Sequence, residues 1–269
     1  MTIDRRLKAV LRVFTGLVLV IVYTPLVLVF VNSFNVDRTF TWPPPGYTLD
    51  WWDLAIHSSG ARDALVTSIE VALLATAIAL VLGTLAGLAL RRTRFFGRNV
   101  VSLLIILPIA LPGIVTGIAL NNAFRTMLGL ELGFFTIVVA HATFCIVTVF
   151  NNVQARVQRL GPSLEQASAD LGAGPFKTFR LVTFPMLRSA LLAGALLAFG
   201  LSFDEIVVTT FTAGPDIQTL PIWIFQNLFR PNQAPVVNVV AAVLVLLSAV
   251  PIYLAQRLSG DVVNTSAAP

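Results

Sequence analysis

Charged residues are scarce in this sequence. They make up 12% of its 269 residues, whereas hydrophobic residues make up 57%, and soluble globular domains carry about 25% charged residues. This composition argues against a soluble protein and predicts an integral membrane protein. The length is then best divided among several helices of about 20 residues, the number needed to cross about 30 Å of hydrocarbon.

Cysteine and the common nucleotide and catalytic motifs are almost or entirely absent. Cys145 is the single cysteine, so an internal disulfide is excluded, and its apolar surroundings favour a buried, inert thiol. The sequence contains no GxGxxG, GxxxxGK[ST], HExxH or GxSxG pattern, and these patterns mark nucleotide-binding loops, zinc peptidases and serine hydrolases. We therefore expect a non-catalytic chain that carries no metal site and no nucleotide-binding loop.

Six long apolar runs are present, and polar segments separate them. They predict an all-α protein with transmembrane helices at about 13–31, 64–90, 100–120, 133–153, 187–211 and 236–254. The third run contains Pro108 and the pair Pro112-Gly113, breaks that a membrane tolerates where neighbouring helices or a cavity satisfy the backbone. We treat the chain as one transmembrane domain, 1–269, with a core at about 60–257 and a disordered tail at about 258–269.

Basic residues are distributed unevenly among the polar segments. Fourteen of the 18 lysines and arginines fall before the first run, between runs two and three, in the segment 154–188, or after the sixth run. The positive-inside rule therefore predicts cytoplasmic N and C termini and a cytoplasmic loop over 154–186. These basic residues also account for the high pI. Because they orient the chain and contact anionic lipid, we expect no nucleic-acid partner.

The polar segment 164–185 reads LEQASADLGAGPFKTFRLVTFP and interrupts two apolar runs. Leu164, Ala167 and Leu171 share one face at helical spacing, and Gly172 fits a helix C-cap. A second short helix is expected over 176–181. Two short helices with apolar side chains make a projection that could fill a groove on a partner.

The same segment resembles the EAA loop of the permease subunits of binding-protein-dependent ABC transporters. The pattern reads E-A-A, three residues, Gly, nine residues, an aliphatic residue, any residue, Leu and Pro. Gly172, Val182 and Pro185 stand at the matching positions. The sequence departs from the pattern at Gln166, which takes the place of the first Glu, and at Phe184, which takes the place of Leu.

The resemblance implies that this loop forms cytoplasmic coupling helices on which an ATPase subunit docks. Glu165, one residue before the expected position, is a candidate for the role of the family's Glu. The candidate docking residues are Glu165, Gln166, Ala167, Asp170, Gly172, Phe176, Phe179 and Pro185.

The resemblance extends over about 10–255. The segment Thr67–Glu70, followed by Gly83-Thr84, looks like the start of the permease core, and LSFDEIVVTTFTAGP with TLPIWIF looks like the second permease of polyamine (spermidine/putrescine) systems. It implies a type I ABC importer fold in the bacterial inner membrane. It also implies a second homologous permease, two ATP-binding cassette ATPases that bind ATP and Mg, and an extracytoplasmic solute-binding protein.

Three acidic residues lie within the predicted runs: Glu70, Asp204 and Glu205. Charges at membrane depth usually face a cavity or a partner, so we expect these three to line a pathway for a cationic solute. The alternatives for the adjacent pair are solvation near the interface or hydrogen bonding to Thr209. Related polyamine permeases carry an acidic residue at the position of Gly113. Because this acid is missing here, an amino acid derivative or an aminophosphonate is an alternative solute.

Trp51 and Trp52 belong to a polar segment in which a short surface helix is expected over 51–56. They suit a membrane interface, and stacking on an amine or contact with the binding protein are the alternatives. His141 is interpreted as a helix–helix hydrogen-bonding residue. An ion-coupled carrier would need inverted repeats and an intramembrane enzyme would need a catalytic set, and we find neither pattern.

Overall fold

A computed structural model describes residues 5–38, 41–92, 96–161, 163–230 and 232–264. Within these ranges the chain is helical and contains no β-strand, which confirms the all-α class. The α-helices are α1 Arg5–Asn32, α2 Asp50–His57, α3 Ser59–Arg92, α4 Arg98–Ala110, α5 Gly113–Asn122, α6 Phe134–Arg159, α7 Ser163–Asp170, α8 Pro175–Thr178, α9 Phe184–Phe203, α10 Val207–Thr212, α11 Leu220–Asn227 and α12 Ala234–Asn264. Two π-helical turns, Ala123–Met127 and Phe179–Thr183, follow α5 and α8.

Five helical segments of the described chain are long and apolar enough to cross a membrane. They are Arg6–Asn32, Ser59–Leu90, Phe134–Arg159, Pro175–Phe203 and Ala234–Leu254. A sixth candidate is the pair Arg98–Ala110 and Gly113–Met127, which is bent by 107°. The protein is therefore a multi-pass membrane protein with five or six spans.

The third predicted span is not one continuous helix. Leu111 and Pro112 have extended backbone angles, with φ −81° and ψ 146° at the first and φ −56° and ψ 135° at the second. Proline lacks an N–H donor, and its ring pushes the preceding residue out of the helical region. The break consequently lies at Leu111-Pro112, while Pro108 remains inside α4.

The fifth predicted span, 187–211, is also wrong in its bounds. Helix α9 ends at Phe203, and α10 begins at Val207 after an irregular segment. At the other end, the separate helix expected over 176–181 is absent, because α8, a π-helical turn and α9 run together as Pro175–Phe203. Pro185 lies in the first turn of α9, directly after the π-helical turn, where the loss of its N–H is tolerated.

Other predicted bounds differ less. Helix α2 confirms the short helix expected over 51–56, and α6 continues to Arg159, past the predicted end at 153. Helix α11 lies in a segment that was treated as a loop. Helix α12 reaches Asn264. The tail predicted to be disordered, about 258–269, is therefore helical up to Asn264, because no proline interrupts α12 there. Residues 265–269 lie outside the described ranges.

The described residues group into two compact units, although the sequence predicted one domain. The first unit comprises Met1–Arg62 and Trp223–Leu246, and the second comprises Asp63–Ile222 and Leu247–Pro269. In the first unit, a loop after α1 is organised around Asn35. Its side chain accepts the Asp37 N–H at 3.0 Å, and its carbonyl accepts the Trp51 Nε1–H at 2.7 Å.

In the second unit, α6 packs closely against α3 and α9. Helix α3 presents small residues every four positions, and a Cβ atom added at Gly83 would lie 2.9 Å from the Ile146 carbonyl oxygen. Small residues allow two helices to approach this closely in a membrane. On the α9 side, Cys145 is fully buried with its Sγ 3.3 Å from the Ala198 carbonyl oxygen, which confirms the prediction of a buried thiol.

Candidate functional site

The two helix breaks of the second unit lie side by side. A Cβ atom added at Gly113 would lie 3.3 Å from the Val207 side chain, and one at Gly117 would lie 2.7 Å from the Phe211 ring. Helix α5 therefore packs along α10, which places the Leu111-Pro112 break next to the segment that precedes Val207. Irregular backbone within apolar spans is tolerated where it is buried in protein or lines a cavity.

Side chains from three elements hold the two ends of α10. The Val208 N–H donates to Glu205 Oε1 at 2.8 Å, which caps the first turn. At the other end, Asn121 Nδ2 donates to the Phe211 carbonyl at 2.6 Å, and the Thr136 hydroxyl lies 2.8 Å from the carbonyl oxygens of both Thr212 and Gly133, between which it shares its proton. These bonds provide partners for backbone groups that the break leaves outside a continuous helix.

The adjacent acids Asp204 and Glu205 have different surroundings. Asp204 takes the C-cap position of α9 and its side chain is exposed. Glu205 is half-buried, and one of its carboxylate oxygens accepts the hydrogen bond that caps α10. Of these two adjacent acids, Asp204 therefore carries the more accessible carboxylate.

His141 joins α6 to both helices that flank this break. Its ring is fully buried, with Nδ1 2.7 Å from Ser202 Oγ on α9 and Nε2 2.8 Å from Thr209 Oγ1 on α10. This confirms the interpretation of His141 as a helix–helix hydrogen-bonding residue. Ser202 was missed, although a serine inside an apolar run close to two acids is a signal that could have identified it.

Glu70 is placed on α3 with an exposed side chain. Two residues earlier, Ser68 is buried, and its Oγ accepts the Leu220 N–H at 2.7 Å, at the first residue of α11. In this part of α3 the polar serine serves the protein's own backbone, while the acid faces outward.

Trp51 and Trp52 belong to the first unit. The Arg38 guanidinium carbon lies 5.7 Å from the centroid of the Trp51 ring system, so the chain itself supplies a cation to that aromatic face. Trp52 stacks on Phe34 with ring centroids 5.2 Å apart. Both indoles are thus part of the packing of the loop after α1.

The loop between α6 and α9 is fastened internally by two side-chain contacts. Thr183 Oγ1 donates to Glu165 Oε1 at 2.8 Å, and the hydroxyl oxygens of Ser168 and Thr178 lie 3.0 Å apart. Gly172 ends α7 with φ +76°, the left-handed conformation predicted for this C-cap. Helix α7 is therefore tied to the start of the following helical segment.

Apolar side chains of this loop point away from the chain. Leu171 is 89% exposed, Phe176 is 75% exposed and Leu164 is 51% exposed. Phe179 instead packs against the buried core and lines an apolar groove of about 600 Å³ between α3 and α9. Among the other predicted docking residues, the exposed ones are Gln166, Ala167, Asp170, Gly172 and Pro185, and Glu165 is half-buried.

Comparison with known proteins identifies relatives over most of the chain. It is 33% identical over 240 residues to the spermidine/putrescine transport system permease protein PotC of Escherichia coli strain K12, covering 89% of each chain. It is also 33% identical over 229 residues to the putrescine transport system permease protein PotI of the same strain, covering 82% of this chain and 80% of that one.

The fold is similar to that of a crystal structure of a bacterial ABC transporter involved in the import of the acidic polysaccharide alginate. The TM-score is 0.72 at 17% identity, over 94% of this chain and 96% of that one. The model of the family described as "Binding-protein-dependent transport system inner membrane component" matches residues 79–263. The chain therefore belongs to that family of transport permeases.

Proposed function

We propose that this chain forms half of the membrane pathway of an ATP-driven importer for a diamine or polyamine such as putrescine or spermidine. Family membership and the relatives PotC and PotI support the transport role and the solute class. The observation that carries the solute is the exposed Asp204 carboxylate at the helix break that follows the apolar helix α9.

An ammonium group that leaves water needs a compensating negative charge. Asp204 supplies it where two broken helices meet, and the break exposes backbone to the pathway rather than to lipid. Glu205 contributes by capping α10 and so keeps the break in shape. Glu70 is a further acid on the pathway, and Trp51 and Trp52 lie toward the external binding protein.

The proposed topology counts the bent pair α4 and α5 as one span. The chain then crosses the bacterial inner membrane six times, with its N and C termini and the loop 154–186 in the cytoplasm. The uneven distribution of lysine and arginine supports this orientation. So does the exposed loop, because its apolar side chains fit a protein partner better than water.

The proposed assembly contains this permease, a second homologous permease, two ATP-binding cassette ATPases and an extracytoplasmic binding protein. Leu171 and Phe176 enter a groove on one ATPase, and Gln166, Ala167, Asp170 and Pro185 surround that contact. ATP and Mg bind to the ATPase, and this chain itself catalyses no reaction. ATP-driven movement of the loop shifts the spans between outward-open and inward-open states, which requires different contacts in the two states.

The test is solute uptake by the complete importer in proteoliposomes, with the binding protein outside and ATP inside. Radiolabelled putrescine or spermidine should accumulate with ATP and not with a non-hydrolysable analogue. Uptake of an aminophosphonate in place of both amines would support the alternative solute class. Uptake driven by an ion gradient without the ATPase would overturn the proposal in favour of a secondary carrier.

A further inference from the structure

His141 is the middle member of a chain of buried hydrogen bonds. Its Nδ1 lies 2.7 Å from Ser202 Oγ, and its Nε2 lies 2.8 Å from Thr209 Oγ1. Thr209 Oγ1 in turn lies 2.9 Å from the Glu205 backbone carbonyl oxygen, which accepts. A ring nitrogen of histidine donates or accepts according to the tautomer, and either tautomer links Ser202, His141 and Thr209.

This chain of bonds spans the break from one side to the other. Ser202 lies two residues before Asp204 on α9, Thr209 lies on α10, and the Glu205 carbonyl lies between the two helices. All three bonded side chains are buried, with Ser202 3% exposed and both His141 and Thr209 0% exposed. One ring on α6 therefore links the last turn of α9 to the first turn of α10.

Helix α6 is a suitable anchor for such a link. It is the central helix of its unit, packed against α9 over much of its length and against the small residues of α3. Helix α10 is only six residues long, too short to be stable alone. Its orientation relative to α9 thus depends on tertiary contacts, which include its packing against α5 and its side-chain bonds. Among these contacts, His141 bonds to a side chain on each of the two helices.

We propose that His141 is a positioning residue for Asp204: by bonding Ser202 and Thr209 it fixes the angle at the α9–α10 break and so the location of the Asp204 carboxylate. The inference rests on the proposed function, in which Asp204 binds the ammonium group of the solute. His141 itself touches no solute and acts through the two hydroxyls.

The experiment measures concentration-dependent putrescine uptake by the complete importer carrying variants of this chain. His141→Leu keeps a similar volume but leaves both hydroxyls without their ring partner, and we expect KM to rise about tenfold, within the cost of leaving buried polar groups unsatisfied. Thr209→Val, which lacks the hydroxyl, should raise KM by a similar factor. Thr209→Ser, which keeps the hydroxyl, should have a KM close to the wild-type value. Cys145→Ala is the control, because Cys145 also joins α6 to α9, through the Ala198 carbonyl, but makes no bond to α10, and its KM should stay within about twofold of the wild-type value.

Two further measurements separate positioning from a general loss of structure. In an Asp204→Asn background, His141→Leu should add little to KM, because the group that it positions is gone. An equal additional loss there would overturn the inference. Since Thr209→Val is nearly isosteric, the test survives if His141→Leu fails to fold.

The second measurement does not depend on the solute. In a Cys145→Ala background, an Asp204→Cys thiol is modified with a positively charged methanethiosulfonate, and mass spectrometry of this chain gives the rate. Thr209→Val should change that rate severalfold. An unchanged rate and an unchanged KM would overturn the positioning role and leave the proposed function intact. A wild-type KM for Asp204→Asn alone would instead overturn the proposed solute site.

Discussion

The α9–α10 junction and the loop 164–185 treat polar and apolar groups in opposite ways. At the junction, His141, Ser202 and Thr209 are polar side chains turned inward and bonded to one another. In the loop, Leu171 and Phe176 are apolar side chains turned outward. Each region thus differs in polarity from its surroundings. The junction places polar side chains among apolar helices, and the loop exposes apolar side chains in a polar segment.

The difference indicates where each region finds its partner. Buried polar groups are costly unless they are bonded, and those at the junction are bonded within the chain, so the junction has its shape before any partner arrives. Exposed large apolar side chains clustered on a loop indicate an interaction surface. In the proposed function, the loop is completed by another protein, and the junction takes up the solute.

The largest effect is expected from a charge placed on the exposed loop. Leu171→Asp and Phe176→Asp should reduce ATP-driven uptake below about 1% of wild type, because a buried unpaired charge at an interface costs several kcal/mol. Both side chains are exposed, so the permease should still fold. Loss of the ATPase on co-purification checks the cause.

Met127→Asp is the matched control for that prediction, since Met127 is 82% exposed but lies in the π-helical turn after α5. It should retain the ATPase. If the loop variants also retain the ATPase at wild-type yield, the loop is not the docking surface. The proposed difference between a partner-binding loop and an internally bonded junction would then be wrong.

The next largest effect is expected from Asp204→Asn. Removing the charge that meets the ammonium group should raise KM for putrescine at least tenfold, equivalent to about 1.4 kcal/mol of lost interaction. Glu205→Gln should change KM less than about threefold, because a glutamine oxygen can still accept the Val208 N–H and cap α10. Concentration-dependent uptake with a constant amount of importer measures both values. Equal effects of the two changes would contradict the division between a solute-binding acid and a capping acid.

The sequence predicts the junction and the loop to different extents. The loop is encoded locally, because Gly172 supplies a left-handed C-cap and apolar residues recur at helical spacing. The break at Asp204 has no such signal, since neither proline nor glycine stands between Phe203 and Val207. It arises from bonds between residues distant in sequence, such as Asn121 with Phe211 and His141 with Thr209.

The other differences between the predicted and observed spans have local causes that the apolar runs of the sequence do not reveal. Pro112 was recognised as a possible break, but a run of hydrophobic residues does not reveal that the chain turns there by 107°. Pro185 precedes the predicted fifth span, 187–211, but a π-helical turn carries the helix past it, so the span begins earlier than predicted. Composition and charge therefore define the class and the spans, while the shape of the site depends on tertiary contacts.

A change of volume should distinguish the packed unit from the loop. Gly83→Val places a side chain where a Cβ atom would already lie 2.9 Å from the Ile146 carbonyl, and overpacking of this kind costs about 1–3 kcal/mol. We expect the detergent-solubilised permease to unfold several degrees lower. Gly174→Ala, in the loop, has nothing within 4 Å of the added atom and should unfold at the wild-type temperature. A similar loss at both positions would mean that the loop is packed as tightly as the helix pair.

The smallest effect concerns a bond in the loop that resembles those at the junction, the one between Glu165 and Thr183. If Glu165 serves mainly as an acceptor for the Thr183 hydroxyl at 2.8 Å, Glu165→Gln should transport at nearly the wild-type rate, because an amide oxygen also accepts. Glu165→Ala and Thr183→Val should each lower uptake about threefold, since a part-buried hydrogen bond is worth about 1 kcal/mol, and the double variant should be no worse than either single one. Glu131→Ala is the control, because Glu131 is an exposed glutamate outside the loop. If Glu165→Gln instead fails as badly as Glu165→Ala, the negative charge itself is required, which points to a basic group on the ATPase. Glu165 would then belong to the docking surface, and the internal fastening of α7 would fall to Ser168 and Thr178.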